Sequence, residues 1–191
     1  MMSKIMVAMS GGVDSSVAAL LLREQGHDVV GVTMCLGLTE PTSDQPNCCG
    51  PEAVRDARAV CDRLGIRHYV FDFSAELEER IIKPFIEDYR GARTPNPCVE
   101  CNRRLKFDTL LTKARGLGFD ALATGHYAKI EQRNERWVLC RPRDAFKDQT
   151  YFLYRIDPRV LPRIMFPLGN HTKEQAREEA RKAGLPIAQK P

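Results

Sequence analysis

What the chain lacks narrows it before any motif is read. No apolar run approaches the roughly 18 residues that a membrane-spanning helix requires. Met1-Met2-Ser3-Lys4 leads into an apolar strand without the block pattern of a signal peptide. A cytoplasmic protein with no membrane partner is expected. The 7 cysteines are odd in number and irregularly spaced, which argues against the disulfide framework of a secreted scaffold and for thiols kept reduced. No internal repeat or low-complexity segment is found. Two common phosphate-binding signatures are also missing: there is no G-x-x-x-x-G-K-[ST] with its lysine and no G-x-G-x-x-G.

What is present fits a globular domain. A chain of 191 residues with 43% hydrophobic content can bury one sizeable core. Its net charge of +4 is modest, but the basic residues are concentrated: Arg90, Arg93, Arg103, Arg104, Lys106, Lys113 and Arg115 face only Glu100 and Asp108 between residues 90 and 115. Apolar strands expected at 4–9, 28–34, 68–73 and 119–123 alternate with amphipathic helices at about 15–25, 51–64, 75–90 and 103–117. Gly26, Gly65 and Gly118 read as helix stops. This alternation predicts an α/β fold, a parallel sheet with helices on both faces. From about residue 127 the period changes, and Tyr127 to Gln132 with Arg136 to Cys140 reads as a hairpin turned at Arg133-Asn134-Glu135. Prolines at 158, 162 and 167 follow, then a polar helix from about Thr172 to Ala183. Residues 1–150 are therefore expected to form the catalytic domain, and 151–191 to begin a small helical region.

The most informative stretch is Ala8-Met9-Ser10-Gly11-Gly12-Val13-Asp14-Ser15-Ser16, which joins an apolar strand to an apolar helix. Paired glycines allow a sharp turn and close approach of a ligand, and the helix start offers unpaired N–H groups and a positive dipole end to an anion. Ser15 or Asp14 could alternatively serve as an ordinary helix cap. In parallel sheets ligands bind beyond the carboxyl ends of strands, so this loop, Met34 and Thr124-Gly125-His126 should converge.

The loop resembles the SGGxDS motif of ATP pyrophosphatases, which split ATP between the α and β phosphates. Three further segments make the resemblance specific: Thr94-Pro95-Asn96-Pro97-Cys98-Val99-Glu100-Cys101-Asn102, Ala123-Thr124-Gly125-His126-Tyr127, and Lys147-Asp148-Gln149-Thr150-Tyr151-Phe152-Leu153. Together with the loop, and over essentially the whole chain, they look like the tRNA-specific 2-thiouridylase family. The resemblance implies an adenine nucleotide alpha hydrolase-like fold and ATP-dependent thiolation of a wobble uridine through an adenylated C2 oxygen. It implies ATP and Mg²⁺ as cofactors, and tRNA and a persulfide-carrying sulfur donor protein as partners.

Residue by residue, the resemblance places ATP contacts at Ala8, Met9, Ser10, Gly11, Gly12, Val13, Asp14, Ser15, Met34 and Gly125. Asp14 is left open between contact with Mg²⁺ and holding the loop. Cys101 corresponds to the nucleophile, in a Pro-rich loop where Arg103, Arg104 and the following helix start would favour its thiolate. RNA contacts fall at Asn96, Pro97, Cys98, His126, Lys147, Asp148 and Gln149. Many relatives carry aspartate where this chain has Cys98. The resulting Cys98-x-x-Cys101 pair admits a redox disulfide, two ligands of a zinc site or [4Fe-4S] cluster, or one nucleophile with a neighbour, and Cys48-Cys49 could supply further ligands. The family's second catalytic cysteine, in a Gly-x-Cys motif, and its later tRNA-gripping domains are expected downstream of Pro191. Cys48, Cys49 and Cys98 are possible substitutes for that cysteine. Cys35, Cys61 and Cys140 are read as packing residues. Two other functions fit the same motifs: sulfur insertion into a small-molecule base or natural product, and a non-catalytic nucleotide or iron–sulfur binding module.

Overall fold

The structure is a computed structural model, which describes residues 2–37 and 50–190. Cys48 and Cys49 lie outside the described residues. Strands β1 (Lys4–Ala8), β2 (Asp28–Cys35), β3 (Arg67–Asp72), β4 (Ala121–Thr124) and β7 (Ile164–Met165) form one parallel sheet in the order β3-β2-β1-β4-β7. Strands β5 (Lys129–Arg133) and β6 (Arg136–Cys140) form the separate antiparallel hairpin. Asn134 and Glu135 turn it with φ of 46° and 64°, the two left-handed residues of a tight hairpin turn.

The pleat of β1 divides the core. Ile5, Val7 and Met9 point to the layer of α1 (Val13–Glu24), α2 (Pro51–Leu64) and α7 (Lys173–Lys182), while Met6 points to the opposite layer. That second layer holds α3 (Ser74–Leu77), α4 (Lys83–Arg90), α5 (Pro97–Glu100) and α6 (Leu111–Gly116). It contributes Leu77, Ile81, Leu105, Leu110 and Leu111 to the core. Two wide π-helical stretches, Glu78–Ile82 and Cys101–Leu110, run between these helices. In the second, the Arg104 carbonyl accepts from the Thr109 hydroxyl at 2.8 Å and from Arg80, which draws it away from the ordinary i→i+4 bond.

Three expectations are corrected. The first helix starts at Val13 rather than 15, because Gly12 is its N-cap. The helix expected at 103–117 starts at Pro97, well ahead of Arg103, the first basic residue of the run. Strand β7 was not anticipated: two residues are too few to show a period, yet Leu122 pairs with Ile164 and Ala123 with Met165. The segment after 150 thus rejoins the main sheet, and Leu168, Ala176, Ala180, Leu185 and Ile187 share a core with α1. Among the described residues no helix is long and apolar enough to cross a membrane.

Candidate functional site

The strand order reverses direction at β1, with β2 on one side and β4 on the other, so the β1/β4 boundary is the switch point where such sheets open a crevice. Ala8 pairs with Thr124, which places the loop after β1 directly beside Gly125. The Met9 amide donates to the Val32 carbonyl at 2.8 Å, and Met34 lies two residues further along β2. The expected convergence is present.

Gly11 has φ +73°, and a Cβ there would sit 2.5 Å from the Ala53 carbonyl oxygen of α2. Gly12 caps α1 without any side-chain cap. The serines are spent on shaping the turn: Ser10 N–H donates to Ser15 Oγ at 3.1 Å, and the Ser16 hydroxyl donates to the Gly12 carbonyl at 2.8 Å. The cap reading of Ser15 and Asp14 is therefore not what the structure shows. The first-turn N–H groups of α1 have no intrahelical acceptor and sit at the positive end of the helix dipole. A Cβ at Gly125 would lie 2.5 Å from Ser15 N and 2.6 Å from the Asp14 carbonyl carbon, so any side chain there would cover that donor.

Asp14 is tied to two groups from distant segments. Its Oδ1 accepts from the Tyr127 hydroxyl at 2.9 Å, and both of its oxygens accept from Lys173 Nζ at 2.8 and 2.9 Å. Burial and the Asp14 carboxylate together push the Tyr127 hydroxyl well above its ordinary pKa. These bonds tie Asp14 to Tyr127 and Lys173. Lys173 was absent from the expected site. It occupies the first position of α7, where a cation opposes the helix dipole, and its side chain is only 16% exposed. The sequence signal was Thr172-x-x-Gln175, a capping box that fixes Lys173 at this position, but a lysine at a helix start ordinarily reads as solvated.

The cysteine segment is built differently from the loop expected. Asn96 is the N-cap of α5, its Oδ1 accepting from Cys98 N at 3.1 Å and Val99 N at 3.2 Å, and Pro97 follows at the first turn. Cys101 therefore stands at the start of the wide helical stretch, half-buried, while Cys98 is exposed. The nearby positive charge is engaged. Glu100 binds Arg104 at 2.8 Å, Arg103 at 3.5 Å, and also Arg155. Glu100 thus gathers Arg103, Arg104 and Arg155 into one cluster at the residue before Cys101.

His126 connects the two halves. Its ring lies 6.0 Å from Phe107 on the cysteine-bearing helical run and 5.9 Å from Phe166, and Nδ1 is 2.7 Å from the Thr124 hydroxyl. Burial, then the Lys106 ammonium, lowers its pKa well below the usual histidine value, so the ring is neutral. Gln149 exchanges two bonds with Tyr127, its N–H donating to the Tyr127 carbonyl at 3.1 Å and its Oε1 accepting from the Tyr127 amide at 2.9 Å. Asp148 accepts from the Thr150 amide at 2.9 Å and from its hydroxyl at 2.6 Å, so both residues shape the turn; Lys147 is exposed.

Among the described residues no group of three or more His, Cys, Asp or Glu side chains is arranged to hold a metal ion. Cys98 and Cys101 alone offer too few ligands for a [4Fe-4S] cluster or zinc, so the described residues do not fit either. Mg²⁺ makes a smaller demand, because it commonly stays on nucleotide phosphates with most of its waters. The open first turn of α1 fits the phosphates that would carry such an ion.

Residues 3–191 match the family described as tRNA methyl transferase HUP domain. The chain belongs to this family. Within it, tRNA-specific 2-thiouridylase MnmA 1 of Syntrophus aciditrophicus is 57% identical over 188 residues, which is 98% of this chain and 50% of that protein. The MnmA of Carboxydothermus hydrogenoformans is 51% identical over 98% of this chain and 53% of its own length. The chain spans about half the length of these curated relatives. Among solved structures, a 4-thiouridine synthetase in complex with RNA and ATP superposes with TM-score 0.58 at 21% identity, over 99% of this chain and 43% of that one. NMN synthetase from Francisella tularensis superposes with TM-score 0.58 at 18% identity, over 98% and 65%. These two share the HUP-domain family's fold: the parallel sheet and its helices, as the strand alternation predicted.

Proposed function

We propose that this chain is the ATP-using part of a tRNA 2-thiouridylase, replacing the C2 oxygen of a wobble uridine by sulfur. The observation that carries the reading is the glycine loop opening onto the uncapped start of α1, with Gly125 pressed against it at the switch point. The names of the relatives at 57% and 51% identity supply the substrate.

The chemistry needs two steps. A uracil C2 carbonyl has no leaving group, so its oxygen attacks the α-phosphorus of ATP and pyrophosphate departs. First-turn N–H groups of α1, together with the backbone of Ser10 to Gly12, receive the charge that develops on pyrophosphate. Met34 and Gly125 border the nucleotide, and Mg²⁺ accompanies the phosphates to neutralise them. The terminal sulfur of a cysteine-bound persulfide then attacks C2, AMP leaves with the former carbonyl oxygen, and C2 is left joined to that cysteine through an S–S bond. Cys101 is assigned the nucleophile that completes the transfer: its thiolate attacks the cysteine-side sulfur of that bond, which leaves sulfur on C2 and forms a protein disulfide that a thiol reductant reopens, while a donor protein charges the persulfide on the second cysteine. Asn96 positions Cys101 by capping its helix, Cys98 and Pro97 flank it, and His126 and Lys147 face the RNA, while Asp148 and Gln149 hold the turn that presents Lys147.

The test is exchange of pyrophosphate into ATP with purified tRNA, alongside mass-spectrometric detection of thiouridine. Cys101→Ser is expected to keep exchange and lose thiolation, whereas Gly11→Ala, which brings a Cβ to 2.5 Å from Ala53, loses both. Undiminished thiolation by Cys101→Ser removes that residue from its role. Absence of tRNA-stimulated exchange in the parent chain rejects the reading.

A further inference from the structure

Beside the cysteine-bearing helical run the surface carries aromatic rings with no partner in the core. Tyr151 is 65% exposed, Tyr154 64% and Phe146 fully exposed; Tyr69, Tyr89 and Trp137 are exposed too but lie scattered along the chain. Large exposed rings grouped on one short segment are unusual for a solvated surface and mark a contact site. We infer that Tyr151 and Tyr154 form a stacking platform for unpaired nucleobases of an RNA loop.

Three observations support this occupant over an apolar protein partner. First, the rings are held with defined orientation: Tyr151 and Tyr154 have centroids 6.0 Å apart and planes tilted by 34°, and Phe152 packs edge-on against Tyr151 at 5.4 Å. They offer two separately inclined faces, which suits bases splayed out of a helix rather than a flat apolar interface. Second, the platform is anchored to the cysteine segment. Asn102 Nδ2 donates to the Phe152 carbonyl at 3.1 Å, and Arg155 pairs with Glu100, the residue before Cys101. Third, the rim is basic. The Arg141 side chain is 87% exposed while paired with Asp148, Lys147 is exposed, and Arg103, Arg104 and Arg155, which gather on Glu100, line a cavity of about 410 Å³ together with Arg80, Asp108 and Asp157. Exposed cations next to such rings in the chain complement a phosphate backbone carrying exposed bases.

The platform would hold the neighbours of the target nucleotide. A base turned out of a loop loses its stacking partners, and rings beside Cys101 replace them for the flanking bases, which lowers the cost of extruding the one that reacts. This inference rests on the tRNA reading above and adds to it the side chains that receive the loop.

The experiment measures binding of a synthetic anticodon stem-loop, with 2-aminopurine next to the wobble uridine, to the parent chain and to Tyr151→Ala, Tyr154→Ala, Tyr151→Phe and Tyr154→Phe. Because both rings are exposed, the variants should fold, and unchanged far-ultraviolet circular dichroism and ATP binding confirm this. Each alanine variant is expected to weaken the stem-loop about 5- to 150-fold and to abolish 2-aminopurine quenching, while the phenylalanine variants retain both. A fully paired RNA hairpin of the same charge should show no difference among them. Equal stem-loop affinity and quenching in the alanine variants overturns the platform while leaving the tRNA reading intact. If the parent chain binds no RNA, both fall. Self-association that is lost in the alanine variants, with RNA binding unchanged, assigns the surface to a second copy and likewise overturns it.

Discussion

Asp14 shows how a single residue can be read correctly for place and incompletely for partners. It lies in the expected loop, but two of its three bonds come from Lys173, 159 residues away. Replacing Lys173 by methionine leaves a partly buried carboxylate with the Tyr127 hydroxyl alone. Breaking buried pairs by removing one member costs about 3–5 kcal/mol, and the roughly one-third exposure of Asp14 reduces this to about 1–2 kcal/mol. Urea denaturation at neutral pH checks it. His126 makes a second prediction at this scale. Its native pKa lies well below the ordinary value because of burial and Lys106, so the unfolded state takes up the proton first as pH falls below about 6.5. The stability that the neutral ring contributes is present above that pH and is lost as pH drops toward the native pKa. Among the described residues the ring meets Phe107, Phe166, the Thr124 hydroxyl and Lys106, and no carboxylate contributes to its shift. His68, also lowered by burial, acts in the same direction, so the comparison must be made against a variant. Between about pH 7.5 and about pH 5.5 the parent should lose more stability than His126→Gln, and equal losses would falsify the assignment.

At the level of elements, the helix that begins at Pro97 is decided by its cap. Asn96→Ala removes the acceptor for Cys98 and Val99 N–H and should cost about 1 kcal/mol, with the first turn fraying and Cys101 losing its fixed position. Hydrogen exchange at Val99 and Glu100 reads the fraying locally, and alkylation of Cys101 should accelerate. Asn followed by Pro is a helix-start signature, and here the sequence did carry the information. It was obscured because two prolines and an asparagine within Thr94 to Pro97 also describe a loop, and nothing local separates the two until Val99 and Leu105 are buried. The strands of the main layer were legible for the opposite reason. Ile5, Val7 and Met9 alternate with Met6 between two buried faces, so their apolar run has only one comfortable state. Lys173 and the Glu100 cluster were not legible, because charges at helix starts and in i,i+3 or i,i+4 pairs look solvated until a distant residue such as Asp14 or Arg155 closes on them.

Across the whole molecule, the sheet and the loop depend on the far end of the chain. Strand β7 covers the free edge of β4, α7 packs on α1, and Lys173 at the start of α7 holds Asp14 in the first turn of α1, just after the glycine loop. A division at residue 150 is thus crossed by hydrogen bonds, core packing and an ion pair at once. Removing residues 151–191 would expose Val17, Leu20 and Ala123 on one face, bare the last strand edge, and strip Asp14 of its lysine. Each loss acts on the β1/β4 boundary, where the candidate nucleotide site lies. A fragment of residues 1–150 is therefore expected to lose the single cooperative urea transition of the 191-residue chain and to bind no ATP. Circular dichroism through a urea titration and nucleotide binding by calorimetry measure the two effects separately. A fragment that unfolds cooperatively near the parent midpoint, yet binds ATP more weakly, would show that α7 serves the site without supporting the fold. One that keeps both properties would mean that the bonds from Lys173 to Asp14 matter to neither.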